Sequence, residues 1–373
     1  MTQRTRLLLL IPHLGGGGAE QVTAQLARHL DPRRFEVHLG LITKDAQGAK
    51  PIPRWVQVHR LHRKRVRQVW FQLICLIRTE RPDVILSGMA HLNFLVLLLK
   101  PFLPSSTRIL VRQNTTASAG ACTWLTRLLY RSLYPQADAI LCQTEAMAAD
   151  LAANFAIERA KLKVLANPIN VQAIRAALAS TPRAAWPVNT SPRLLCVGRL
   201  AREKGIDLLL LALREVRLHH PQVHLTILGA GPEETRLKNL SRELNLETFV
   251  SFPGYKENLT DFYAQATLFV QPSRHEGLPN ALLEAAAAGL PLVATPSSAG
   301  LSNLLQNAPG TWLTQSISAE SLAQTILTAL AALTSPPRQE QNPPLRFNHA
   351  FLAPFETPTA VATYAALIET SAA

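Results

Sequence analysis

Short apolar runs alternate with longer amphipathic segments along most of the 373 residues. Runs such as residues 6–11 and 268–271 have the length and the continuous apolar character of strands that are buried on both faces of a parallel sheet. The segment 19–30, which follows one of these runs, places its apolar residues on one side of a helix. This alternation predicts an α/β fold with parallel sheets.

The clearest strand–helix–strand unit begins with the predicted strand 268–271. Pro279 has the fixed φ that is favoured at the first helical position, and the alanine- and leucine-rich run 281–288 continues the helix. Gly289 ends this helix, and residues 291–294 form the next strand. The turn before the helix therefore lies at the carboxyl end of a parallel strand, which is where open α/β sheets bind ligands.

A chain of this length is expected to form two domains, and its composition changes where we place the division. A short helix is predicted to end near residue 179, and residues 180–192 are rich in Pro, Ser and Thr, which is typical of a linker. We predict a first domain at residues 1–170, a linker at 171–192, a second domain at 193–348 and a C-terminal helix within 349–373.

The excess of positive charge lies in the first half of the chain. Residues 1–170 contain 23 Lys and Arg against 10 Asp and Glu, whereas residues 171–373 contain 15 of each class. A basic half suggests an anionic surface or a polyanion as partner. The segment 60–67 is basic and is followed by aromatic residues, which fits either the solvated start of a helix or a patch on an anionic membrane leaflet. No recognition motif accompanies the charge, so nucleic acid is not the predicted partner.

No apolar run approaches the roughly 20 residues that a membrane-spanning helix needs. Residues 1–14 resemble a signal peptide, but their apolar core is only five residues long and four glycines follow it. We therefore predict a first strand and a glycine loop there. The four cysteines have no metal-ligand spacing and are expected to be reduced thiols of a cytosolic protein.

Two carboxylates stand out in the turn and helix after the strand 268–271. Glu276 precedes the helix, and Glu284 shares one helical face with Asn280. The backbone N–H groups at the helix start suit a phosphate, while carboxylates accept hydrogen bonds from hydroxyl groups, and a sugar nucleotide offers both. The alternative is that Glu276 only favours the helix start and Glu284 is solvated, although the apolar neighbours of Glu284 weaken that interpretation.

The sequence His-Glu-Gly-Leu-Pro-Asn-Ala-Leu-Leu-Glu-Ala, in which seven residues separate Glu276 from Glu284, resembles the Glu-x7-Glu signature of glycosyltransferase family 4. The Ala-x-x-x-Gly-x-Pro-x-Val-Ala that ends at residue 294 also fits this family. The resemblance implies a GT-B fold, in which two Rossmann-like domains face each other across a cleft and a C-terminal helix crosses back to the first domain. It also implies a retaining transfer, with the acceptor on the first domain and a nucleotide sugar on the second.

A second motif, Gly-Arg-Leu-Ala-Arg-Glu-Lys-Gly at 198–205, is similar to the Gly-Arg-Leu-x-x-x-Lys-Gly segment of the same family. Arg199 and Lys204 follow a predicted strand and lie five positions apart, so both can converge on one anion. A bidentate Arg together with a point-charge Lys suits a diphosphate. The alternative is a pair of surface cations.

The resemblance assigns roles to these residues. Arg199 and Lys204 are expected to stabilise the leaving diphosphate, Glu276 to bind the hydroxyls of the sugar, and Glu284 to bind the ribose. No covalent nucleophile, cofactor or metal is expected, because cations and helix dipoles neutralise the diphosphate and the chain has no Asp-x-Asp pair. The expected donor-binding residues are Gly17, Gly18, Gly277, Leu278, Pro279, Asn280 and Glu284.

The first half contributes weaker signals. Gly17–Glu20 resembles a Gly-Gly-Ala-Glu segment that in this family lies near the donor phosphates and the acceptor, although the glycine loop lacks dinucleotide-fold spacing. Family members often carry a His or a charged residue after the strand that here ends in Arg112-Gln-Asn114. The acceptor-side candidates are therefore His91, Arg112 and Asn114, and a lone His such as His91 more often has a structural role.

The resemblance implies an enzyme that moves a hexose from a UDP- or GDP-sugar to a saccharide or lipid-linked acceptor. The basic first domain fits a lipid-linked acceptor at the inner face of a membrane, as in bacterial surface polysaccharide assembly. We therefore expect a cytoplasmic protein that is able to lie on this face of the membrane. Three alternatives stay open. A sugar-nucleotide epimerase or a phosphorylase can share this architecture, a non-catalytic protein can bind the nucleotide sugar without turnover, and a polyanion-binding protein would explain the basic half alone.

Overall fold

The structure is a computed structural model that describes residues 4–15, 17–43, 51–63, 65–120, 123–179, 186–187, 190–334 and 346–372. The chain divides into two compact units. Unit 1 comprises Met1–Ile169 and Pro354–Ala373, and unit 2 comprises Asn170–Ala353.

Unit 1 is built on a sheet of seven strands that pair in parallel in the order β3-β2-β1-β4-β5-β6-β7. Its elements up to Ile169 are β1 (Thr5–Ile11), α1 (Gly18–His29), β2 (Phe35–Leu41), β3 (Gln57–Arg60), α2 (Trp70–Glu80), β4 (Val84–Ser87), α3 (Ala90–Leu99), β5 (Arg108–Arg112), α4 (Ala117–Gly120), α5 (Trp124–Leu133), β6 (Ala139–Cys142), α6 (Glu145–Phe155) and β7 (Leu162–Val164).

Unit 2 is built on a sheet of six strands, also parallel, in the order β10-β9-β8-β11-β12-β13. Its elements are α7 (Val171–Leu178), β8 (Arg193–Val197), α8 (Ile206–His219), β9 (His224–Leu228), α9 (Glu234–Glu243), β10 (Val250–Gly254), α10 (Thr260–Gln265), β11 (Leu268–Gln271), α11 (Asn280–Ala287), β12 (Leu292–Ala294), α12 (Ala299–Leu305), β13 (Thr311–Leu313) and α13 (Ala319–Thr334). The last helix, α14 (Thr357–Ala372), belongs to unit 1. Turns of 3₁₀ helix are formed by Val66–Gln68, Lys100–Phe102, Tyr134–Gln136, Arg159–Lys161, Arg202–Lys204 and Ala350–Phe355.

The predicted fold class is confirmed, because each unit has a parallel sheet covered by helices. In unit 1 the strand order reverses between β1 and β4, and in unit 2 it reverses between β8 and β11. Ligands of open α/β sheets bind beyond the carboxyl ends of the strands at such a reversal. The loops after β1, β4, β8 and β11 are therefore the places to look for a site.

The leucine run of β1 shows why the strands are continuously apolar. Leu8 and Leu10 belong to a core that includes residues of α2, α3, α5 and α6, whereas Leu7 and Leu9 belong to a core that includes residues of α1 and α14. All four side chains have no exposed surface. Burial of each such side chain stabilises the fold by about 1.5–3 kcal/mol, which requires apolar residues on both faces of the strand.

Segment 171–192, the predicted linker, contains helix α7. This helix contacts α10 and α11 within unit 2, and Arg175 Nε donates to the carbonyl of Ala287 at 3.4 Å. The rest of the predicted linker lies partly outside the described residues, as do one glycine of the loop 15–18, residue 64 of the basic segment and Cys122.

The prediction that Pro279 is the first helical residue is wrong by one position. Helix α11 begins at Asn280, and Pro279 is its N-cap with the extended backbone angles φ −73° and ψ 119°. Proline is suited to this position as well, because the cap residue needs no N–H donor. Gly289 follows the C-cap Ala288 with φ +76°, the left-handed conformation that ends many helices at glycine.

Within the described part of the chain, no helix is both long enough and apolar enough to cross a bilayer. The described cysteines Cys75, Cys142 and Cys196 are free thiols, as expected. Burial raises the pKa of both Cys142 and Cys196 to about 12, so neither is a thiolate at neutral pH.

Candidate functional site

An ion pair joins the loop after β8 to the loop after β11 in unit 2. Lys204 Nζ donates a hydrogen bond to Glu276 Oε1, and the two side chains are 22% and 11% exposed. Both residues follow strands that flank the reversal of strand order, which is why residues far apart in sequence meet here. The structure therefore places a cation and a carboxylate side by side at the ligand-binding edge of the sheet.

A polar relay orients Glu276 from the end of β11. Gln271 Nε2 donates to Ser273 Oγ at 2.7 Å, and Ser273 Oγ donates to Glu276 Oε1 at 3.1 Å. Gln271 and Ser273 are buried, and Thr295 Oγ1 donates to the carbonyl of Ser273 at 2.5 Å. The carboxylate is thus held by buried partners. Sequence reasoning missed the relay, although two polar residues at the end of an apolar strand were its visible signal.

Arg199 does not share an anion with Lys204 in this structure. Its Nη2 donates to Glu203 Oε1 at 2.5 Å, and its side chain is 66% exposed. Burial raises the pKa of Glu203, but the hydrogen bond from Arg199, a backbone hydrogen bond and the charges of Arg199 and Lys204 together outweigh burial and hold this pKa below its ordinary value. Arg199 and Lys204, the two cations expected to bind a diphosphate, therefore each have their own carboxylate partner.

Arg274 fixes the two loops to the start of α8. Its Nη1 and Nη2 donate to the two carboxylate oxygens of Asp207 at 2.6 and 2.9 Å, and its backbone N–H donates to the carbonyl of Glu203 at 2.8 Å. A bidentate pair of this kind fixes orientation as well as distance. Neither of the two family motifs described above includes Arg274 or Asp207. This pair nevertheless holds the loop that carries Lys204 beside the loop that carries Glu276.

Glu284 is tethered on helix α11. Tyr263 is buried, and its hydroxyl donates to Glu284 Oε2 at 3.2 Å. Burial and the charge of Glu284 raise the pKa of Tyr263 well above its ordinary value, so the phenol stays protonated and acts as a donor. Glu284 therefore has a fixed, partly buried carboxylate rather than a solvated one.

The turn between Glu276 and α11 is anchored by serines of the following strand end. Ser298 Oγ donates to the carbonyl of Gly277 at 2.9 Å, and the N–H of Glu276 faces the carbonyl of Ser297 at 3.5 Å. Leu278 and Pro279 are buried, and the N-cap Pro279 makes no side-chain hydrogen bond to α11. The turn is thus built as a fixed backbone surface beside Glu276.

In unit 1, the glycine loop packs on a buried carboxylate. Gly17 is the N-cap of α1, Gly18 is its first residue, and a Cβ atom on Gly17 would lie 2.2 Å from Glu20 Oε2. Burial raises the pKa of Glu20, against the opposing effects of its backbone hydrogen bond and of the charges on His13 and Arg112. His13 Nδ1 lies 3.7 Å from Glu20 Oε1.

His13 and His91 follow β1 and β4, on either side of the reversal of strand order in unit 1. His91 is exposed, and partial desolvation together with the charge of His13 lowers its pKa. The predicted candidate His91 is thus near His13, which the sequence gave no reason to select. Both lie at the edge of the sheet where a ligand is expected.

Arg112 is buried and engaged on every side. Its Nε donates to the hydroxyl of Tyr364 at 3.3 Å, its Nη2 to Asn167 Oδ1 at 2.5 Å, and its Nη1 to Asn114 Oδ1. Asn114 Nδ2 in turn donates to the carbonyl of Gly88 at 2.5 Å. With 3% of its surface exposed, Arg112 orders the strand ends around Asn114 instead of presenting a cation to solvent.

Two sequence families match the chain. Residues 182–342 match the family described as glycosyl transferases group 1, and residues 16–173 match the family described as Glycosyltransferase Family 4. A relative in Campylobacter jejuni, N-acetylgalactosamine-N,N'-diacetylbacillosaminyl-diphospho-undecaprenol 4-alpha-N-acetylgalactosaminyltransferase, is 28% identical over 318 residues, which are 80% of this chain and 83% of the relative.

A second relative, the putative colanic acid biosynthesis glycosyltransferase WcaL of Escherichia coli, is 33% identical over 152 residues, which are 39% of this chain and 37% of the relative. Among solved structures, Anabaena HepE in complex with UDP and glucose superposes with a TM-score of 0.80 at 17% identity, covering 98% of this chain and all of HepE. The lipopolysaccharide outer core galactosyltransferase WaaB has a TM-score of 0.65 at 15% identity, covering 98% of this chain and 99% of WaaB.

Proposed function

Because the chain belongs to the GT-B glycosyltransferases of the family 4 type, we propose that it transfers a hexose from a nucleoside diphosphate sugar, with retention at the anomeric carbon, to a saccharide or lipid-linked saccharide. The observation that carries the proposal is the ion pair between Lys204 and Glu276 at the reversal of strand order in unit 2. It combines the two groups that a sugar diphosphate needs.

Donor binding is proposed to replace the ion pair between Lys204 and Glu276 with contacts from each residue to the donor. Without a ligand, the ammonium of Lys204 and the carboxylate of Glu276 neutralise each other. A bound donor offers phosphate oxygens to Lys204 and sugar hydroxyls to Glu276, so each charge keeps a partner. The relay from Gln271 through Ser273 holds the carboxylate in place during the exchange.

Arg199 supplies the second cation in this proposal. An exposed ion pair such as Arg199–Glu203 contributes only about 0.2–1 kcal/mol, so turning the guanidinium toward a phosphate costs little. Charge that builds on the diphosphate as the glycosidic bond breaks is then stabilised by Arg199 and Lys204 together. No divalent cation is needed at the diphosphate.

Glu284 is proposed to bind the ribose of the donor. Tyr263 donates to one of its oxygens, which fixes the carboxylate so that it can accept hydrogen bonds from ribose hydroxyls. The backbone of the turn Gly277–Asn280 is proposed to contact the donor beside it. Gly17 and Gly18, at the start of α1, are also proposed as donor-binding residues.

The nature of the acceptor is proposed from the charge and the surface of unit 1, with His91 and Asn114 on the acceptor side. The relative in C. jejuni is named for a diphospho-undecaprenol substrate, and the E. coli relative for colanic acid biosynthesis. A lipid-linked acceptor of this chemistry lies in a membrane. We accordingly place the protein in bacterial surface polysaccharide assembly, in the cytoplasm and on the inner face of the membrane.

Helices α2, α3 and α5 supply a surface suited to such a membrane. They pack on the same core, and they expose large apolar side chains. Arg127 and Arg131 of α5 are also exposed. The exposed apolar residues on or next to these helices are Trp70, Phe71, Leu98, Phe102, Trp124, Leu125 and Leu128. Exposed aromatic and aliphatic side chains enter the interface of a bilayer, while cations bind anionic headgroups.

The proposal is tested with purified protein, a panel of UDP-, GDP- and ADP-sugars and a lipid-linked saccharide acceptor. We expect one nucleotide family to bind, and the product to keep the anomeric configuration of the donor when it is analysed by NMR. An inverted product contradicts retention. Conversion of the donor sugar without an acceptor identifies an epimerase, and binding without turnover identifies a non-catalytic protein.

A further inference from the structure

Two histidines and a glutamate meet on one face of the unit 1 sheet, where neither family motif lies. His38 of β2 is 2% exposed, and its Nδ1 lies 3.0 Å from Nε2 of His59 on β3 and 3.5 Å from Oε2 of Glu80, the last residue of α2. Each of the three residues offers one possible ligand atom, and these three atoms lie within 4.8 Å of one another. We propose that His38, His59 and Glu80 bind a divalent transition-metal ion, with zinc as the expected ion.

The two distances from His38 Nδ1 are close to those of tetrahedral coordination. Zinc–nitrogen and zinc–oxygen bonds of about 2.0–2.2 Å at tetrahedral angles separate neighbouring ligand atoms by about 3.3–3.6 Å. The two distances from His38 Nδ1 lie within a few tenths of an ångström of this range. Two imidazoles and a carboxylate form a common ligand set for zinc, with the fourth position open to water.

The fold brings these residues together for a definite reason. His59 is the Cα partner of Gly40, and Gly40 lies two residues after His38, so both histidines point to the same face of the sheet. A Cβ atom on Gly40 would lie 2.5 Å from Leu10 Cδ2 and 3.8 Å from Leu76 Cδ2, and Leu76 is one helical turn before Glu80 on α2. The missing side chain of Gly40 therefore lets α2 pack closely on this face, with its last residue near the two histidines.

Glu36 provides the outer partner that a metal-bound histidine usually has. Its Oε1 lies 3.5 Å from His38 Nε2, and this nitrogen is buried without a hydrogen-bond partner. With Nδ1 on a metal, Nε2 carries a proton and can donate to Glu36, which completes a carboxylate–histidine–metal arrangement. Gln57 Nε2 donates to Glu36 Oε1 at 3.4 Å, and Arg6 Nε lies 3.6 Å from Glu36 Oε2.

The cluster lies away from the carboxyl edge of the sheet, where the ligands of open α/β sheets bind. β3 is a four-residue edge strand, and His38 lies in the middle of β2 rather than at its carboxyl end. An ion there would join β2, β3 and α2. In the alternative, metal-free arrangement, one imidazole donates a hydrogen bond to the other across the 3.0 Å separation.

The test uses untagged full-length protein that has been stripped with EDTA, because a histidine tag would itself bind metal. Titration with Co²⁺ should produce the visible absorption of tetrahedral cobalt, and Zn²⁺ should displace it at one ion per chain. His59→Gln and Glu80→Gln should each weaken zinc binding at least tenfold. Glu36→Gln should weaken it about 10–100-fold without removing a ligand.

His219→Gln is the matched control, because His219 is an exposed histidine of unit 2. It should leave the zinc affinity unchanged. Circular dichroism and nucleotide binding report whether each variant is folded, and Glu80, which is 26% exposed, gives the same test if His59→Gln does not fold. Failure to bind Zn²⁺ at micromolar concentration, or equal affinity in the cluster variants and the control, would overturn the proposal and leave a hydrogen-bonded histidine pair.

Discussion

Gly205 and Pro272 meet backbone to backbone: a Cβ atom on Gly205 would lie 2.0 Å from the carbonyl oxygen of Pro272. Gly205 also has φ +63°, a conformation that costs other residues about 1–2 kcal/mol. The residue follows Lys204 directly, and Pro272 precedes the Ser273 that holds Glu276. The close approach of these two backbones therefore sets the spacing of the ion pair.

Gly205→Ala should destabilise unit 2 and weaken donor binding, because the new methyl group must push the two loops apart. We expect a loss of at least about 2 kcal/mol, which corresponds to a drop of roughly 5 °C in the midpoint of thermal unfolding. Gly254→Ala is the control, since Gly254 has φ +77° and no atom within 4 Å of an added Cβ. Equal effects of the two substitutions would show that the contact with Pro272 is unimportant.

Lys204→Met and Glu276→Gln should affect different parts of the donor. If Lys204 binds the diphosphate, Lys204→Met weakens binding of the free nucleoside diphosphate as well as of the nucleotide sugar. Glu276→Gln should not weaken binding of the free nucleotide, because it removes the carboxylate that competes with phosphate for Lys204. It should lower kcat by about 100-fold, because the sugar is the part of the donor that Glu276 is proposed to contact. Calorimetry with the nucleotide and with its sugar separates the two effects, and a Glu276→Gln variant that loses nucleotide binding contradicts the assignment.

Tyr263→Phe should loosen Glu284 without removing it. Loss of the hydroxyl costs about 0.5–1.5 kcal/mol of stability and leaves the carboxylate less well oriented for the ribose. We expect a nucleotide dissociation constant several-fold higher than that of the original protein, measured by calorimetry. Tyr364→Phe removes a buried hydroxyl from unit 1, where it accepts from Arg112, and should leave nucleotide affinity unchanged.

The raised pKa of Glu20 should make the free energy of unfolding depend on pH. Burial raises the pKa of Glu20 above the ordinary 4.5, so the folded protein holds this proton more tightly than the unfolded chain does. The carboxyl group therefore contributes stability that is fully present below pH 4.5 and is lost as the pH rises through the raised pKa. Glu20→Gln, which is always neutral, should be more stable relative to the original protein at pH 7 than at pH 4.

Urea unfolding of both proteins at pH 4 and pH 7 measures this difference. The same substitution should reduce transferase activity if the charge of Glu20, beside Gly17 and His13, acts at the proposed acceptor side. A variant whose relative stability is the same at both pH values would show that burial does not disfavour the Glu20 carboxylate.

The pattern of apolar residues was sufficient to predict the sheets, because strands such as β1 and β11 are buried on both faces and so carry continuous apolar runs. It could not predict that Lys204 and Glu276 pair, since they are 72 residues apart and meet only because β11 lies beside β8. The burial of Arg112 was equally hidden: its partner Tyr364 lies 252 residues away. Strand order and tertiary burial, not local propensity, decided these contacts.

Trp124 and Leu128 are expected to contribute to membrane binding. Both are exposed on α5, and Trp124 has 77% of its surface exposed. Their replacement together by Ser should lower binding to anionic vesicles several-fold, because the side chains no longer enter the bilayer interface. Leu218→Ser is the control, since Leu218 is 72% exposed on unit 2, outside this surface.

Binding is measured by cosedimentation with vesicles that contain anionic lipid and with purely zwitterionic vesicles, at low and at physiological salt. Binding that is weak on zwitterionic vesicles and reduced by salt fits the basic charge of the first half of the chain. Equal losses in the α5 variant and the Leu218→Ser control would contradict a role for this surface.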